Sequence, residues 1–275
     1  MPADNRPIGI FDSGIGGLTV AQAIRQALPR ERLLYFGDNA HMPYGARSLD
    51  EVRGFSEAIS EALIAHGCKL IVIACNTASA AALKEVRERW PDFLFVGMEP
   101  AVKPAAEHTR TGVVGVIATV ATFQSELYAS VVERFSHGVE VLHQPCPGLV
   151  KQIEAGELDT PRTEGMLRGW LEPMVGRGID ALVLGCTHYP IVRPLIERIV
   201  GPHVRVIDPA PAVARQVARV LNERGMDADA AATDGMRVCT SGDTRTFAEM
   251  ISRMGIPSHQ VEQAAWVNGS LRLPE

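Results

Sequence analysis

Leu70-Ile71-Val72-Ile73-Ala74-Cys75-Asn76-Thr77 and Ala181-Leu182-Val183-Leu184-Gly185-Cys186-Thr187-His188 share one frame. Each is a short apolar run, then a cysteine, then two polar residues. Helical patterns follow over 78–89 and 191–200. A continuous apolar run of this length ahead of a helix predicts a buried parallel strand. Both cysteines then stand where a strand ends and a loop begins, at the sheet edge where open α/β folds bind ligands. One thiol from each half suits a reaction that removes a proton on one face and adds another on the opposite face.

Working outward, strands and helices alternate. The apolar pattern predicts strands at 8–11, 32–36 and 93–97 around the first cysteine strand. Val52, Phe55, Ile59 and Leu63 mark one face of a helix over 49–65. The pattern restarts after Met98, with strands at 113–117, 139–142 and 204–207 around the second cysteine strand. Helices are expected over 118–135, 146–155, 160–177, 212–224 and 244–254, with one further strand at 237–240. Alternation of this kind predicts an α/β protein with two pseudosymmetric doubly wound parallel-sheet domains. Residues 1–98 with 210–275 would form the first, the C-terminal segment returning to it, and 99–209 the second.

The 275 residues suffice for this, with 46% apolar and 21% charged residues. A net charge of −5 leaves no basic footprint for nucleic acid. Five cysteines without CxxC spacing argue against a disulfide framework or a zinc ribbon. The eight histidines show no metal-binding spacing. Met1-Pro2-Ala3-Asp4-Asn5-Arg6 has no apolar signal region, and no apolar run is long enough for a membrane span. The expectation is a cytoplasmic protein without metal, membrane or nucleic-acid partners.

Besides Cys75 and Cys186, several groups are candidates for chemistry. Asp12-Ser13-Gly14-Ile15-Gly16-Gly17 links a strand to a helix and offers backbone N–H groups to an anion. It lacks the dinucleotide and P-loop signatures. Asp12 could meet an ammonium or a thiol and Ser13 a carboxylate; both also serve as helix caps. Asn76, Thr77 and Thr187 could donate to a carboxylate or thiolate. Tyr44-Gly45 could aim backbone N–H groups at a ligand or form an ordinary turn. Thr119 and Thr122 read equally as ligands or caps, Glu154 as a solvated residue, and His188 as a structural residue or a tuner of Cys186. Cys68, Cys146 and Cys239 lack the shared frame and read as structural.

Phe11-Asp12-Ser13-Gly14-Ile15-Gly16-Gly17, Pro43-Tyr44-Gly45, Ala74-Cys75-Asn76-Thr77-Ala78 and Gly185-Cys186-Thr187-His188-Tyr189-Pro190 together resemble the glutamate racemases of the aspartate/glutamate racemase family. The resemblance runs through nearly the whole chain, in order. It implies a cofactor-independent racemase that supplies D-glutamate for peptidoglycan, with the active site at the interface of two pseudosymmetric domains. Cys75 and Cys186 would be the catalytic acid/bases, assisted by Asp12 and His188. Substrate binding would fall to Asp12, Ser13, Tyr44, Gly45, Asn76, Thr77, Thr119, Thr122, Thr187 and His188, with Glu154 matching an acidic position near the site. L- and D-glutamate are the implied small-molecule partners, and a homodimer stays an open expectation because members often dimerise.

Other readings stay open at this level. Aspartate or hydantoin racemases share the fold, although His188 and Tyr189 weigh against the first. A related decarboxylase would be expected to keep one of the two cysteines. A non-catalytic amino-acid-binding module would need neither thiol to exchange protons.

Overall fold

The computed structural model describes residues 4–229, 235–256 and 260–275. Met1, Pro2 and Ala3, read above as the start of a leaderless N-terminus, lie outside the described residues. The first elements are β1 (Ile8–Asp12), α1 (Leu18–Ala27), β2 (Leu33–Gly37), α2 (Leu49–Ala65), β3 (Leu70–Ile73), α3 (Asn76–Arg89) and β4 (Leu94–Gly97). Then come α4 (Val102–His108), β5 (Val113–Ala118), α5 (Val120–Phe123), α6 (Glu126–Phe135), β6 (Glu140–Pro145), α7 (Leu149–Glu154), α8 (Pro161–Gly176), β7 (Ala181–Gly185), α9 (Arg193–Val200) and β8 (Arg205–Ile207). The remainder is α10 (Ala210–Arg224), β9 (Met236–Thr240), α11 (Thr244–Arg253), β10 (Val261–Gln263), β11 (Ala265–Val267) and β12 (Ser270–Arg272). The chain divides into two compact units, one of residues 1–98 with 210–275 and one of residues 99–209.

The first unit holds a six-stranded sheet in the order β10-β9-β2-β1-β3-β4, parallel at every pairing. The central strands are buried along their whole length, which is why they read as unbroken apolar runs. Phe11, Phe36, Ile71 and Ile73 meet Val52, Ile59 and Leu63 of α2 and Val86 of α3 in one core. Each fully buried side chain of this size contributes about 1.5–3 kcal/mol. Ser48 and Glu51 close a capping box at the start of α2, worth about 1 kcal/mol. The antiparallel hairpin β11-β12 packs through Leu271 and Trp266 onto the same core.

The second unit has a four-stranded parallel sheet, β6-β5-β7-β8. Val114, Val116 and Val183 pack against Val102 of α4 and Tyr128 and Val131 of α6. Its strand order repeats β2-β1-β3-β4 of the first unit, so β3 and β7 hold matching places. The fold class is the one expected.

Three local expectations are corrected. The helix expected over 118–135 breaks into α5 and α6, because Ser125 accepts a hydrogen bond from Tyr128 N and starts a new helix. The helix expected over 191–200 begins as a 3₁₀ turn, Tyr189–Val192, and becomes α only at Arg193. Pro190 and Pro194 lack the N–H donors that a continuous α-helix would use. Beyond 240, where no strand was expected, three more form.

Candidate active site

In the first unit, Cys75 follows β3 and occupies the N-cap position of α3, with extended backbone (φ −75°, ψ 126°) and no side-chain cap bond. Unpaired N–H groups and the positive end of the helix dipole favour negative charge on a sulfur placed there. Ala74 N donates to Phe11 O at 2.9 Å and Ser79 N to Cys75 O at 2.8 Å, fixing the turn at both ends. Asp12 ends β1, is fully buried, and accepts from Gly14 N at 3.0 Å. A Cβ on Gly17 would stand 2.6 Å from Asp12 Cβ and 3.0 Å from Ala74 Cβ. Only glycine lets α1 start this close, and the contact brings Asp12 beside the turn that carries Cys75. Ser13 lies buried in the same loop.

Asn76 and Thr77 open α3 and are buried. Among the described residues, neither Nδ2 nor Oδ1 of Asn76 has a hydrogen-bond partner. Leaving a buried amide unpaired costs about 1–3 kcal/mol, so such groups call for an explanation, and a ligand supplies one. Tyr44 and Gly45 sit in the 3₁₀ turn Tyr44–Ala46. Tyr44 OH donates to Asp38 Oδ2 at 2.6 Å. Burial, then the neighbouring charges of Asp38, Cys75 and Asp12, hold the Tyr44 phenol well above its ordinary pKa. It therefore remains a neutral donor within electrostatic reach of Cys75.

In the second unit, Cys186 directly follows β7 and leads into the 3₁₀ turn. It is thus not at an α-helix N-terminus, and a histidine takes that place in its surroundings. His188 Nδ1 lies 3.9 Å from Cys186 Sγ and 3.5 Å from Thr187 Oγ1. Its Nε2 lies 2.7 Å from Glu154 Oε1, at the end of α7. Burial works against charge on His188, but Cys186 and Glu154 outweigh it and hold the imidazole well above its ordinary pKa. These two neighbours favour the protonated form of the ring. Glu154 is accordingly a buried partner, and the reading of it as a solvated residue is set aside.

Thr119 caps α5 by accepting from Thr122 N at 3.2 Å, and the two hydroxyls meet at 2.9 Å. The capping alternative thus holds for Thr119, while its hydroxyl stays at the carboxyl end of β5. Burial pushes the Cys68 and Cys239 thiols up to about 12 and raises Cys146 further. No disulfide joins any of the five cysteines. Among the described residues, no group of three or more His, Cys, Asp or Glu side chains is placed to hold a metal ion. Nor is any helix among them long and apolar enough to cross a membrane.

Sequence reasoning missed Asp38. It is fully buried just past β2, and its N–H donates to Asp12 O at 2.9 Å. Cys146 N donates to Ala118 O at 3.1 Å at the matching place past β6.

The family model for Asp/Glu/Hydantoin racemases matches residues 9–217. The chain belongs to this family. It is an amino-acid racemase, an isomerase, and groups with the glutamate racemases. The racemase is 52% identical over 260 residues to a glutamate racemase of Roseiflexus sp. (strain RS-1), covering 94% of this chain and 96% of that one. Among solved structures, it superposes on a glutamate racemase isoform from Bacillus anthracis with a TM-score of 0.87 at 33% identity, covering 97% and 99% of the two chains. A glutamate racemase from Francisella tularensis subsp. tularensis SCHU S4, crystallised with D-glutamate, gives 0.84 at 32% identity over 96% and 98%.

Proposed function

We propose that this racemase interconverts L- and D-glutamate by proton transfer between two cysteines, without a cofactor, and supplies D-glutamate for peptidoglycan. The observation that carries the reading is the matched placement of Cys75 and Cys186 after the third strand in chain order of each sheet, each with its own source of positive potential. For Cys75 that source is the start of α3; for Cys186 it is His188. One thiolate removes the α-proton, and the opposite thiol delivers a proton to the other face of the same carbon. The roles exchange for the reverse direction.

The α-proton of an amino acid is a very weak acid, so positioned donors must stabilise the charge that develops on its carboxylate. Ser13, Asn76, Thr77 and Thr187 supply those donors in this reading, with backbone N–H groups at Tyr44-Gly45 and hydroxyls at Thr119 and Thr122. The unpartnered amide of Asn76 supports its share. Asp12 assists Cys75, and the His188–Glu154 pair assists Cys186. The same reading carries the expectations of a cytoplasmic enzyme and of a homodimer.

The test is incubation in deuterated water with a panel of amino acids. L-Glutamate should exchange its α-hydrogen while optical rotation decays to zero, and aspartate and hydantoins should be poor substrates. Failure to turn over glutamate would sink the substrate assignment. Near wild-type racemisation by Cys75→Ala or Cys186→Ala would sink the two-base mechanism.

A further inference from the structure

The Asp38 carboxylate accepts four side-chain hydrogen bonds. Its Oδ1 accepts from Ser241 Oγ at 2.8 Å and Trp266 Nε1 at 2.8 Å. Its Oδ2 accepts from Tyr44 OH at 2.6 Å and His41 Nδ1 at 2.9 Å. Four donors fill the acceptor capacity of one carboxylate. Two are local and two come from more than 200 positions away, the farther from the hairpin strand β11.

Trp266 is only half-buried, yet it reaches this fully buried carboxylate. Its ring stands edge-on to His41 at 4.8 Å between centroids and to Phe55 at 5.9 Å. His41 in turn stacks on Phe55 at 3.9 Å, and Phe55 lies 5.8 Å from the Tyr44 ring. Trp266 therefore meets the segment from Asp38 to Gly45 at two points, the Asp38 carboxylate and the His41 ring. Leu271 and Trp266 both pack on this core, but apolar packing by itself does not call for an indole N–H aimed at Asp38.

We propose that Trp266 is a positioning residue: through Asp38 and His41 it sets the place of Tyr44-Gly45 beside Cys75, making the β11-β12 hairpin part of the Cys75 half of the site. The proposal rests on the reading of Cys75 and Tyr44-Gly45 as parts of a glutamate racemase site. A hydrogen bond to a carboxylate is about twice as strong as a neutral one. A small misplacement of a substrate-holding loop is costly to rate.

Trp266→Phe keeps an aromatic ring and deletes the N–H. It should fold as wild type by circular dichroism and lower kcat/KM for glutamate about tenfold, a loss of the size of one such bond. The decisive readout is chloride elimination from each enantiomer of 3-chloroglutamate. There one thiolate takes the α-proton, chloride leaves from Cβ, and the resulting enamine hydrolyses to 2-oxoglutarate and ammonium. This needs only one cysteine per enantiomer, and Cys75→Ser identifies which enantiomer depends on Cys75. Trp266→Phe should slow elimination from that enantiomer and spare the other. If Trp266→Phe does not fold, Trp266→benzothienylalanine keeps the bicyclic ring, removes only the N–H, and should show the same split. Wild-type kinetics in these variants, or equal loss for both enantiomers, overturns the proposal. An inactive wild type instead overturns the underlying reading, and the proposal with it.

Discussion

His188 stands between Cys186 and Glu154, with Nδ1 3.9 Å from the sulfur and Nε2 2.7 Å from the carboxylate. Burial alone would keep this ring neutral; the sulfur and the carboxylate on its two sides work the other way and favour its protonated form.

Glu154→Gln retains a hydrogen-bonding group at that place but removes its charge. The carboxylate is one of the groups that raise the His188 pKa, so the variant imidazolium loses its proton at lower pH. The alkaline limb of the kcat/KM profile should move down in pH. Activity at pH 8 should fall about tenfold or more, within the range of general acid–base effects. A profile identical to wild type would separate Glu154 from the chemistry.

The same shift has a stability consequence. The His188 pKa is raised in the folded protein above 6.5, its ordinary value. Its contribution is therefore fully present below pH 6.5 and is lost as pH rises through the folded pKa, each unit of elevation being about 1.4 kcal/mol. His188→Gln should cost more stability at pH 6 than at pH 9, measured by urea unfolding.

Asn76 offers a trade between stability and activity. Its amide is buried without partners, so Asn76→Leu, close to it in shape, relieves an unpaired donor and acceptor. The variant should gain about 1 kcal/mol in urea unfolding and lose kcat/KM about tenfold or more. A loss of both would mean that the amide is satisfied within the folded protein.

Far from the site, Lys69 is fully buried, 2.7 Å from Glu31 Oε2, and donates to Asp4 O and Met226 O. Lys69→Met leaves a buried carboxylate unpaired and should cost about 3–5 kcal/mol. Adding Glu31→Leu should restore only part of this, because Glu31 also accepts from Ala228 N at 2.9 Å. Urea unfolding of the two variants gives the difference.

The frames around Cys75 and Cys186 were legible because strands buried on both faces must be apolar throughout, and the strand end then exposes whatever follows. His188 was legible by adjacency. Its partner Glu154 lies 34 residues away, and only the family resemblance pointed to it. Asp38 was not legible, because its donors Ser241 and Trp266 come from more than 200 positions away. Strands β10, β11 and β12 escaped notice because three residues are too few to show a period. The break before α6 was hidden because a capping serine inside an amphipathic pattern looks like any polar position.

The first unit is assembled from both ends of the described chain, while the second is one continuous stretch. On a ribosome this fixes an order of completion. The sheet behind Cys186 has all its strands once Ile207 has emerged. The sheet behind Cys75 must wait, with the edge of β2 unpaired, until β9 arrives to cover it. The first of the two matched cysteines to be synthesised is thus the last to gain its finished surroundings, the reverse of their order along the chain.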